Sequence, residues 1–331
     1  MGFDLGYLLF LQELRNALGG ALDEFFNALS KMAVTVMAIL PYYLYWCVDK
    51  RIGFRFILSF NTAEIVNGVT KLTVCAYRPW IRSDAIIPAG DSKVAATGYS
   101  FPSGHTVCAT SVYGNTALWQ YKRNRWISVV AIILLLLTAF SRNFLGVHTP
   151  QDVVVGMLES ALIIFVIVRL EPKLKEKNAL LDKLTFIGIA VGLLTIVYVL
   201  LKPYPMDYIN GALIVDPKKM MPDHFRAVGL FVGTLAGSYI DRHYLHYEVP
   251  LHDSRLPLLG IVGFILMNVW KELFANATVV LAFGPLWGNL LAGLILAFFG
   301  VAVYPMLIQK ALKKPEAPIV NLNVKEAETV K

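Results

Sequence analysis

Charged residues are scarce in this chain of 331 residues: 16% are Asp, Glu, Lys or Arg, whereas 56% are hydrophobic. A typical soluble domain carries roughly 25% charged residues, and a mean hydropathy of +0.59 does not suit a surface in contact with water. This shortage of charge excludes a disordered chain, a coiled coil and a typical nucleic-acid-binding domain. The composition instead predicts one polytopic membrane domain surrounded by lipid.

Cysteine is also scarce, and Cys47, Cys75 and Cys108 all lie in apolar stretches without a Cys-x-x-Cys or Cys/His spacing. A secreted disulfide scaffold is therefore excluded, and the three side chains are expected to be small core residues. His243 and His246 match no familiar zinc spacing either. We therefore expect no zinc site at these histidines.

Long apolar runs are abundant, and nine of them approach the length of about 20 residues that a helix needs to cross a bilayer. They are residues 33–48, 56–77, 104–121, 127–142, 151–169, 184–201, 224–240, 257–273 and 284–309. Most of the basic residues behind the net charge of +7 lie in alternate connections between these runs. Because cytoplasmic loops collect Lys and Arg, nine spans place the N-terminus outside and the C-terminus in the cytoplasm.

Three short segments carry polar residues that are unusual at the ends of membrane spans. In the first, Arg78 follows Lys71 by about two helical turns, so both cations are expected on one face of a helix that ends at Pro79. The second reads Tyr-Ser-Phe-Pro-Ser-Gly-His over residues 99–105, and the third runs over residues 141–152 from one apolar run into the next. In the nine-span arrangement all three segments lie at the outer membrane face.

The basic residues of these segments predict an anion-binding site. Lys71, Arg78 and Arg142 are three cations at the edge of a low-dielectric region, with no comparable run of carboxylates to neutralise them. A dianion with several oxygens would neutralise them, and the guanidinium fork suits phosphate geometry. Ser103 and the backbone N–H of Gly104, at the expected start of a helix, would supply uncharged donors to the same anion.

Two histidines remain for proton transfer and covalent chemistry near neutral pH. Asp152 follows His148 by about one helical turn, so its carboxylate could accept the Nδ1–H and leave Nε2 as a free nucleophile. His105 has no such partner in its own segment and is the better candidate for a general acid. Asp152 also suits the third position of a helix that starts at Thr149, so capping is an alternative use of this carboxylate.

The three segments match the K-x6-R-P, P-S-G-H and S-R-x5-H-x3-D signature of the phosphatidic acid phosphatase type 2 superfamily, which the chain resembles over residues 71–152. The resemblance implies a metal-independent phosphatase in which His148 attacks phosphorus and forms a phosphohistidine. It implies that Asp152 orients His148 and that His105 protonates the leaving oxygen. It also implies that the phosphoryl oxygens are held by Lys71, Arg78, Ser103, Gly104 and Arg142. Vanadate, which mimics the five-coordinate transition state, should inhibit such an enzyme.

The expected fold is all-α, with a helical-bundle core of the superfamily type and additional helices after it. Residues 1–32 mix apolar and charged side chains and are expected to form amphipathic helices on the membrane surface. Residues 33–169 would be the catalytic transmembrane core, residues 170–310 additional transmembrane helices and residues 311–331 a cytoplasmic tail. Gly and Ala in residues 229–237 and 288–300 favour close helix packing, inside one chain or in a homodimer.

Several substrate classes fit the resemblance. A site at the level of lipid headgroups favours a lipid phosphate or an isoprenoid diphosphate. A sugar phosphate is the alternative, because nine spans with an outer N-terminus resemble the glucose-6-phosphatase branch, whereas sphingosine-phosphate phosphatases also carry extra helices. A lipid phosphotransferase would use the same phosphohistidine, and a transporter would use the polar membrane residues without it. The expected location is a bacterial inner membrane with the site facing outside, and no nucleic-acid partner is expected.

Overall fold

The computed structural model of the protein describes residues 2–96, 98–175 and 177–312, and most of these residues are helical. The helices are α1 (Phe3–Ala17), α2 (Asp23–Val34), α3 (Val36–Cys47), α4 (Lys50–Val74), α5 (Pro79–Arg82), α6 (Ser92–Ala95), α7 (Gly104–Ala109), α8 (Asn115–Gln120), α9 (Arg125–Phe144), α10 (Pro150–Leu174), α11 (Asn178–Leu201), α12 (Met221–Ile240), α13 (Leu256–Val269), α14 (Leu281–Phe283), α15 (Pro285–Phe298) and α16 (Tyr304–Leu312). Segments of π-helix lie at Thr110–Gly114, Asp241–Leu245, Trp270–Val280 and Phe299–Val303, and one 3₁₀ turn lies at Pro217–Lys219. Within the described ranges the strands form one hairpin, in which Tyr208–Ile209 pairs with Ala212–Leu213. The all-α prediction is confirmed, whereas residues 313–331 of the predicted tail 311–331 lie outside the described residues.

Four helical stretches are long and apolar enough to cross a membrane: α9, α10, α11 and the continuous stretch Pro285–Leu312. The bent pair formed by Asp23–Val34 and Met37–Cys47 would raise the number to five. Each of the nine predicted runs coincides with helix, but the count of about nine spans is not confirmed. The difference has a physical cause in α4, for example, which carries several charged residues along its length and therefore resembles a membrane-crossing helix less closely than α9 does.

Side-chain caps start three of the helices that build the predicted site. The Asp49 carboxylate accepts a hydrogen bond from the backbone N–H of Ile52 (3.0 Å) at the start of α4. Asn124 accepts from two backbone N–H groups at the start of α9. Thr149 starts α10 in a reciprocal capping box with Asp152. Each cap satisfies backbone donors that have no partner within the first helical turn.

The end of α4 differs from the prediction that Lys71 and Arg78 share one helical face. The helix stops at Val74, because Cys75 adopts a left-handed conformation with φ 54°. The chain beyond it pairs with another loop, since the Ser100 N–H donates to the Ala76 carbonyl oxygen (2.7 Å). Arg78 therefore precedes the short helix α5 and approaches the site from a loop, so the prediction of a shared helical stripe was wrong.

The central position of α4 brings the later helices next to the predicted core, because α4 packs against α3, α10 and α12. Helix α12 in turn packs closely along α15. A Cβ atom on Gly229 would lie 2.0 Å from the Leu290 carbonyl oxygen, and one on Gly233 would lie 2.4 Å from the Leu294 carbonyl oxygen. Only glycine permits this approach, and it confirms the predicted close packing inside one chain.

Candidate active site

A cavity of about 550 Å³ brings most of the predicted site residues together. Its volume falls in the range of about 300–1,000 Å³ that is usual for small-molecule sites. Helix α4, the start of α7, the end of α9 and the two loops that precede α5 and α10 contribute to this part of its wall. The predicted site residues in the wall are Lys71, Arg78, Gly104, His105, Arg142 and His148.

The imidazole of His148 lies between a guanidinium and a carboxylate. Its Nε2 is 2.9 Å from Nη1 of Arg78, and its Nδ1 is 3.3 Å from Oδ2 of Asp152. Because a guanidinium has donors and no acceptor, Nε2 must accept this hydrogen bond. The ring proton of a neutral His148 is then on Nδ1, from which it is donated to Asp152.

The carboxylate of Asp152 combines the two uses that its sequence position allows. Its Oδ2 accepts from the backbone N–H of Thr149 (2.8 Å) in the capping box, as well as from His148. The Ser100 hydroxyl donates to the same oxygen. The Asp152 carboxylate, which caps the start of α10, therefore also fixes the ring of His148. The start of the helix and the orientation of the imidazole depend on each other.

Backbone carbonyl groups hold the two cations from the first segment. Lys71 Nζ donates to the Ser100 carbonyl oxygen (3.3 Å) and to that of Pro102. Arg78 donates through Nε to the Gly98 carbonyl oxygen (3.2 Å) and through Nη1 to that of Val147 (2.9 Å). These contacts join the segments that precede α5, α7 and α10 around one space.

Arg142 is held from a part of the chain far away in sequence. Its Nη1 donates to the hydroxyl of Ser30 in α2 (2.6 Å), and Ser30 is fully buried. In the part of the chain that the structure describes, Nε of Arg142 has no hydrogen-bond partner although it is buried. Because a buried charged donor is normally paired, this nitrogen is suited to an anion in the cavity that Arg142 lines.

Two residues of the second segment line the cavity, and a third connects the helices around it. Gly104 and His105 line the cavity at the start of α7, whereas Ser103 is absent from the wall. Its hydroxyl accepts from Thr106 Oγ1 (3.0 Å), and its backbone N–H donates to the Asp152 carbonyl oxygen (2.9 Å). Ser103 thus links α7 to α10 next to the two residues that line the cavity.

Electrostatics favour a neutral His148, which lies in the loop between α9 and α10. Burial, together with the neighbouring Arg78 guanidinium, lowers the pKa of His148 well below its ordinary value, although Asp152 opposes the shift. Burial also lowers the pKa of Arg78, to about 10, so this side chain remains a cation at neutral pH. A neutral imidazole next to a cationic guanidinium is the state that a nucleophile beside a phosphoryl group requires.

Three supporting residues were not predicted. Ser100 bonds Asp152, Ser30 bonds Arg142, and the side-chain amide of Asn143 donates to the His148 carbonyl oxygen (2.9 Å). Ser100 and Asn143 lie inside the polar segments and could have been suspected for that reason. Nothing in the sequence connects Ser30 with Arg142. Among the described residues, no group of three or more His, Cys, Asp and Glu side chains is arranged to hold a metal ion.

Comparison with known proteins gives three similar relatives. An undecaprenyl-diphosphatase of Sulfolobus acidocaldarius is 30% identical over 122 residues, which cover 37% of this chain and 56% of the relative. A phosphatidylglycerophosphatase B of Bacillus subtilis is 29% identical over 38% of this chain and 60% of the relative. A lipid phosphate phosphatase delta of Arabidopsis thaliana is 24% identical over 79% of this chain and 62% of the relative. The chain thus spans about 56–62% of the length of these curated relatives.

No solved structure matches the chain significantly. Residues 52–176 match the family model described as the PAP2 superfamily. This segment contains all of the predicted site residues, from Lys71 to Asp152, and it includes the whole of the Arg78–His148–Asp152 arrangement. Over residues 52–176 the chain is thus similar to the PAP2 superfamily.

Proposed function

We propose that the chain is a membrane phosphatase that hydrolyses a phosphate ester or a diphosphate, with a lipid phosphate or an isoprenoid diphosphate as the leading substrate class. The observation that carries this proposal is the hydrogen-bonded series from Arg78 through His148 to Asp152, in the wall of a cavity that Lys71 and Arg142 also line. The names of the three relatives, each a phosphatase of a lipid or isoprenoid compound, support the same class.

In the first step of the proposed reaction, Nε2 of His148 attacks phosphorus. The bond between phosphorus and the leaving oxygen breaks, and His105 gives a proton to that oxygen. Asp152 stabilises the positive charge that develops on the His148 ring, because it accepts the hydrogen bond from Nδ1. Arg78, which contacts Nε2 in the free protein, would transfer its hydrogen bond to a phosphoryl oxygen, where Lys71 and Arg142 add positive charge.

In the second step water cleaves the phosphohistidine. His105, now neutral, accepts a proton from the water as the oxygen attacks phosphorus, and the bond from phosphorus to Nε2 breaks. Inorganic phosphate leaves and both histidines return to their starting states. The three cations stabilise the charge on the transferred phosphoryl group, which is the task of metal ions in kinases, so we propose a metal-independent reaction that persists in EDTA.

The proposal also includes an arrangement in the membrane. Nine spans would place the cavity at the extracytoplasmic face of a bacterial inner membrane, with the N-terminus on the same side. Support comes from the distribution of Lys and Arg among the connections. Fusing a reporter enzyme to each connection would test this arrangement, and a cytoplasmic signal from the connection at residues 143–150 would contradict it.

Phosphate release from purified protein tests the activity. We expect release from a lipid phosphate or an isoprenoid diphosphate without any added acceptor, and a loss of about 10⁴-fold or more in His148→Ala, by analogy with other covalent catalysts. His252→Ala is a matched control, since His252 is an exposed histidine outside the cavity wall. A preference for hexose phosphates would assign the sugar-phosphate alternative, and release that requires an alcohol acceptor would assign the phosphotransferase. Equal rates in wild type and His148→Ala would refute the proposal.

A further inference from the structure

A second cavity, of about 320 Å³, adjoins the cavity that contains His148. The residues that line both spaces are Arg78, Ala96 and Met220. The residues that complete the definition of the second cavity are Lys93, Leu213 and Lys219. The hairpin and the 3₁₀ turn that supply the last two follow residue 176, so they lie outside the segment that matches the family model.

Arg78 and Met220 separate the two cavities. Nε of Arg78 donates to the Gly98 carbonyl oxygen (3.2 Å), and the backbone N–H of Tyr99 donates to Sδ of Met220 (3.0 Å). Met220 packs closely here, since a Cβ atom on Gly98 would lie 2.1 Å from Sδ. A methionine side chain is unbranched and has three rotatable bonds, so it changes its shape readily. The partition therefore contains a flexible side chain next to a guanidinium that would bind phosphate in the proposed reaction.

Positive charge predominates in the second cavity. Lys93 and Lys219 are exposed, and neither forms an ion pair with a carboxylate of the described ranges. Asp216 lies in the same wall, but its Oδ1 starts the 3₁₀ turn by accepting from the backbone N–H of Lys218 (3.0 Å). With Arg78, the described wall thus contains three cations and one carboxylate. Such a wall suits an anion with several oxygens.

Tertiary contacts hold the wall that contains Leu213. The Tyr77 hydroxyl donates to the Asp207 carboxylate, and the backbone N–H of Ile214 donates to the Asp207 carbonyl oxygen (2.9 Å). Asp207 thereby joins the neighbour of Arg78 in sequence to the end of the hairpin. The second cavity is therefore fixed to the loop that carries Arg78 toward His148.

The phosphate product of the proposed reaction is charged and needs polar surroundings as it leaves. Near α2 and α3, the cavity that contains His148 is lined by Val34, Ala38 and Ile39, whose side chains offer no hydrogen-bond donor. Arg78, whose Nη1 lies 2.9 Å from Nε2 of His148, also lines the second cavity. A phosphate released from His148 is therefore next to a donor that belongs to both spaces.

On the basis of the proposed function, we infer that the second cavity binds inorganic phosphate as it leaves the protein. Phosphate moves from Arg78 to Lys93 and Lys219 when the Met220 side chain changes rotamer. No covalent bond forms or breaks in this step, because the phosphate only exchanges one set of donors for another. The phosphodiester of a lipid headgroup has similar chemistry, and the first experiment distinguishes these two sources.

The first experiment measures protection of a thiol placed in the wall. Leu213→Cys supplies this thiol, and the three native cysteines are buried, so wild type gives the background reaction with a neutral maleimide. Inorganic phosphate at about ten times its dissociation constant should slow the labelling of Leu213→Cys about tenfold, whereas chloride at the same ionic strength should not. Glu13→Cys, an exposed position of α1 outside both cavities, is the control and should not be protected.

Two outcomes of this experiment would overturn the inference. One is an unchanged labelling rate of Leu213→Cys over the whole range of phosphate concentrations. The other is protection by a soluble short-chain phosphatidylglycerol without protection by inorganic phosphate, which would assign the site to a lipid headgroup.

Removal of the two lysines tests their part in the site. In Leu213→Cys combined with Lys93→Met and Lys219→Met, the phosphate concentration that gives half protection should rise at least about tenfold. Lys218→Met in the same background is the matched control, since Lys218 is exposed and adjacent to Lys219 but absent from the described wall. Equal phosphate dependence in the two proteins would show that the lysines do not bind phosphate.

The second experiment tests whether the route of an anion passes through this cavity. A bulky neutral maleimide attached to Leu213→Cys should slow the recovery of activity after dilution of vanadate at least about tenfold, while the same label on Glu13→Cys should not. Equal recovery would refute the route. The labelling experiment requires no turnover, so its outcome is independent of the proposed function. Phosphate protection without His148-dependent phosphate release would refute the function, whereas such release without protection would refute this inference alone.

Discussion

At the scale of single residues, the state of one imidazole decides whether the cavity can carry out phosphoryl transfer. Arg78 can only donate, so Nε2 of His148 must be the acceptor and Nδ1 the donor to Asp152. The ring is thus held in the tautomer that a nucleophilic Nε2 needs. The positive side chain beside Nε2 also keeps the ring neutral, so one arginine sets both the tautomer and the charge of the ring, and in the proposed reaction it would also bind phosphate.

The geometry of Arg78 predicts that charge alone cannot replace it. In Arg78→Lys we expect kcat/KM to fall by about a hundredfold, because an ammonium group cannot contact the Gly98 carbonyl, the Val147 carbonyl and His148 together. Arg82→Lys is the control, since Arg82 is exposed and pairs with Asp4 outside the cavity wall. It should change kcat/KM by less than about twofold. Full activity in Arg78→Lys would show that only its charge matters.

The lowered pKa of His148 predicts the acid side of the pH profile. In the proposed reaction only the neutral ring can attack phosphorus, and burial beside Arg78 makes the protonated ring unfavourable. As the pH falls, kcat/KM should therefore decline with a midpoint below about 6.5, the ordinary pKa of histidine. Native His148 also binds a proton less readily than unfolded His148, so its contribution to stability is lost as the pH falls below about 6.5. An acid midpoint above 7 in kcat/KM would contradict this assignment.

At the scale of helices, the N-terminal segment of residues 1–32 contacts other parts of the fold. Asp4 of α1 forms an ion pair with Arg82 (2.7 Å), and Arg15 donates to the Ile87 carbonyl oxygen (2.6 Å). These contacts attach α1 to the last residue of α5 and to the loop that follows it. Helix α2 packs against α9 and brings Ser30 to Arg142. Amphipathic helices were predicted for residues 1–32, and in the structure α1 and α2 both pack against α9.

The contact between α2 and α9 predicts that Ser30 is a positioning residue for phosphate binding. In Ser30→Ala we expect KM and the inhibition constant of vanadate to rise about tenfold, with little change in kcat, because one hydrogen bond to a charged group is worth about 1.5 kcal/mol. Thr35→Ala is the control, since the Thr35 hydroxyl bonds only the Lys31 carbonyl oxygen of its own helix. A lower melting temperature with unchanged KM would mean that Ser30 only stabilises the fold.

Local patterns predicted the helices well and their interruptions poorly. The polar caps at Asn124 and Thr149 can be recognised from the sequence, because a cap acts within one turn of its own helix. The end of α4 at Val74 cannot, since it depends on pairing between Ala76 and Ser100 across the fold. Residues of the polar segments could be assigned to a site because they lie close together in sequence. The contact of Ser30 with Arg142 could not be predicted, since it depends on the packing of two helices that are distant in sequence.

At the scale of the whole molecule, three parts of the chain contribute to the wall of one cavity. They are the helices before residue 52, the segment 52–176 that matches the family model, and the helices after residue 176. Helix α4 lines this cavity and packs against both α10 and α12. The later helices therefore line the same cavity as the segment 52–176. Such an arrangement couples the stability of the fold to the contents of the cavity, since its cations come from separate elements.

This coupling predicts that a dianion stabilises the entire fold. Lys71, Arg78 and Arg142 come from α4, a loop and α9, and without a bound anion their mutual repulsion opposes the packing of these elements. A ligand that binds only the folded state at 100 times its dissociation constant adds about 2.7 kcal/mol to the free energy of unfolding. Vanadate should therefore raise the melting temperature, whereas chloride at the same ionic strength should not. In Arg142→Met we expect most of the vanadate shift to disappear, while the melting temperature without vanadate stays equal or rises because one buried cation has been removed. If vanadate shifted both proteins equally, it would bind elsewhere, and the three cations would not form a single anion site.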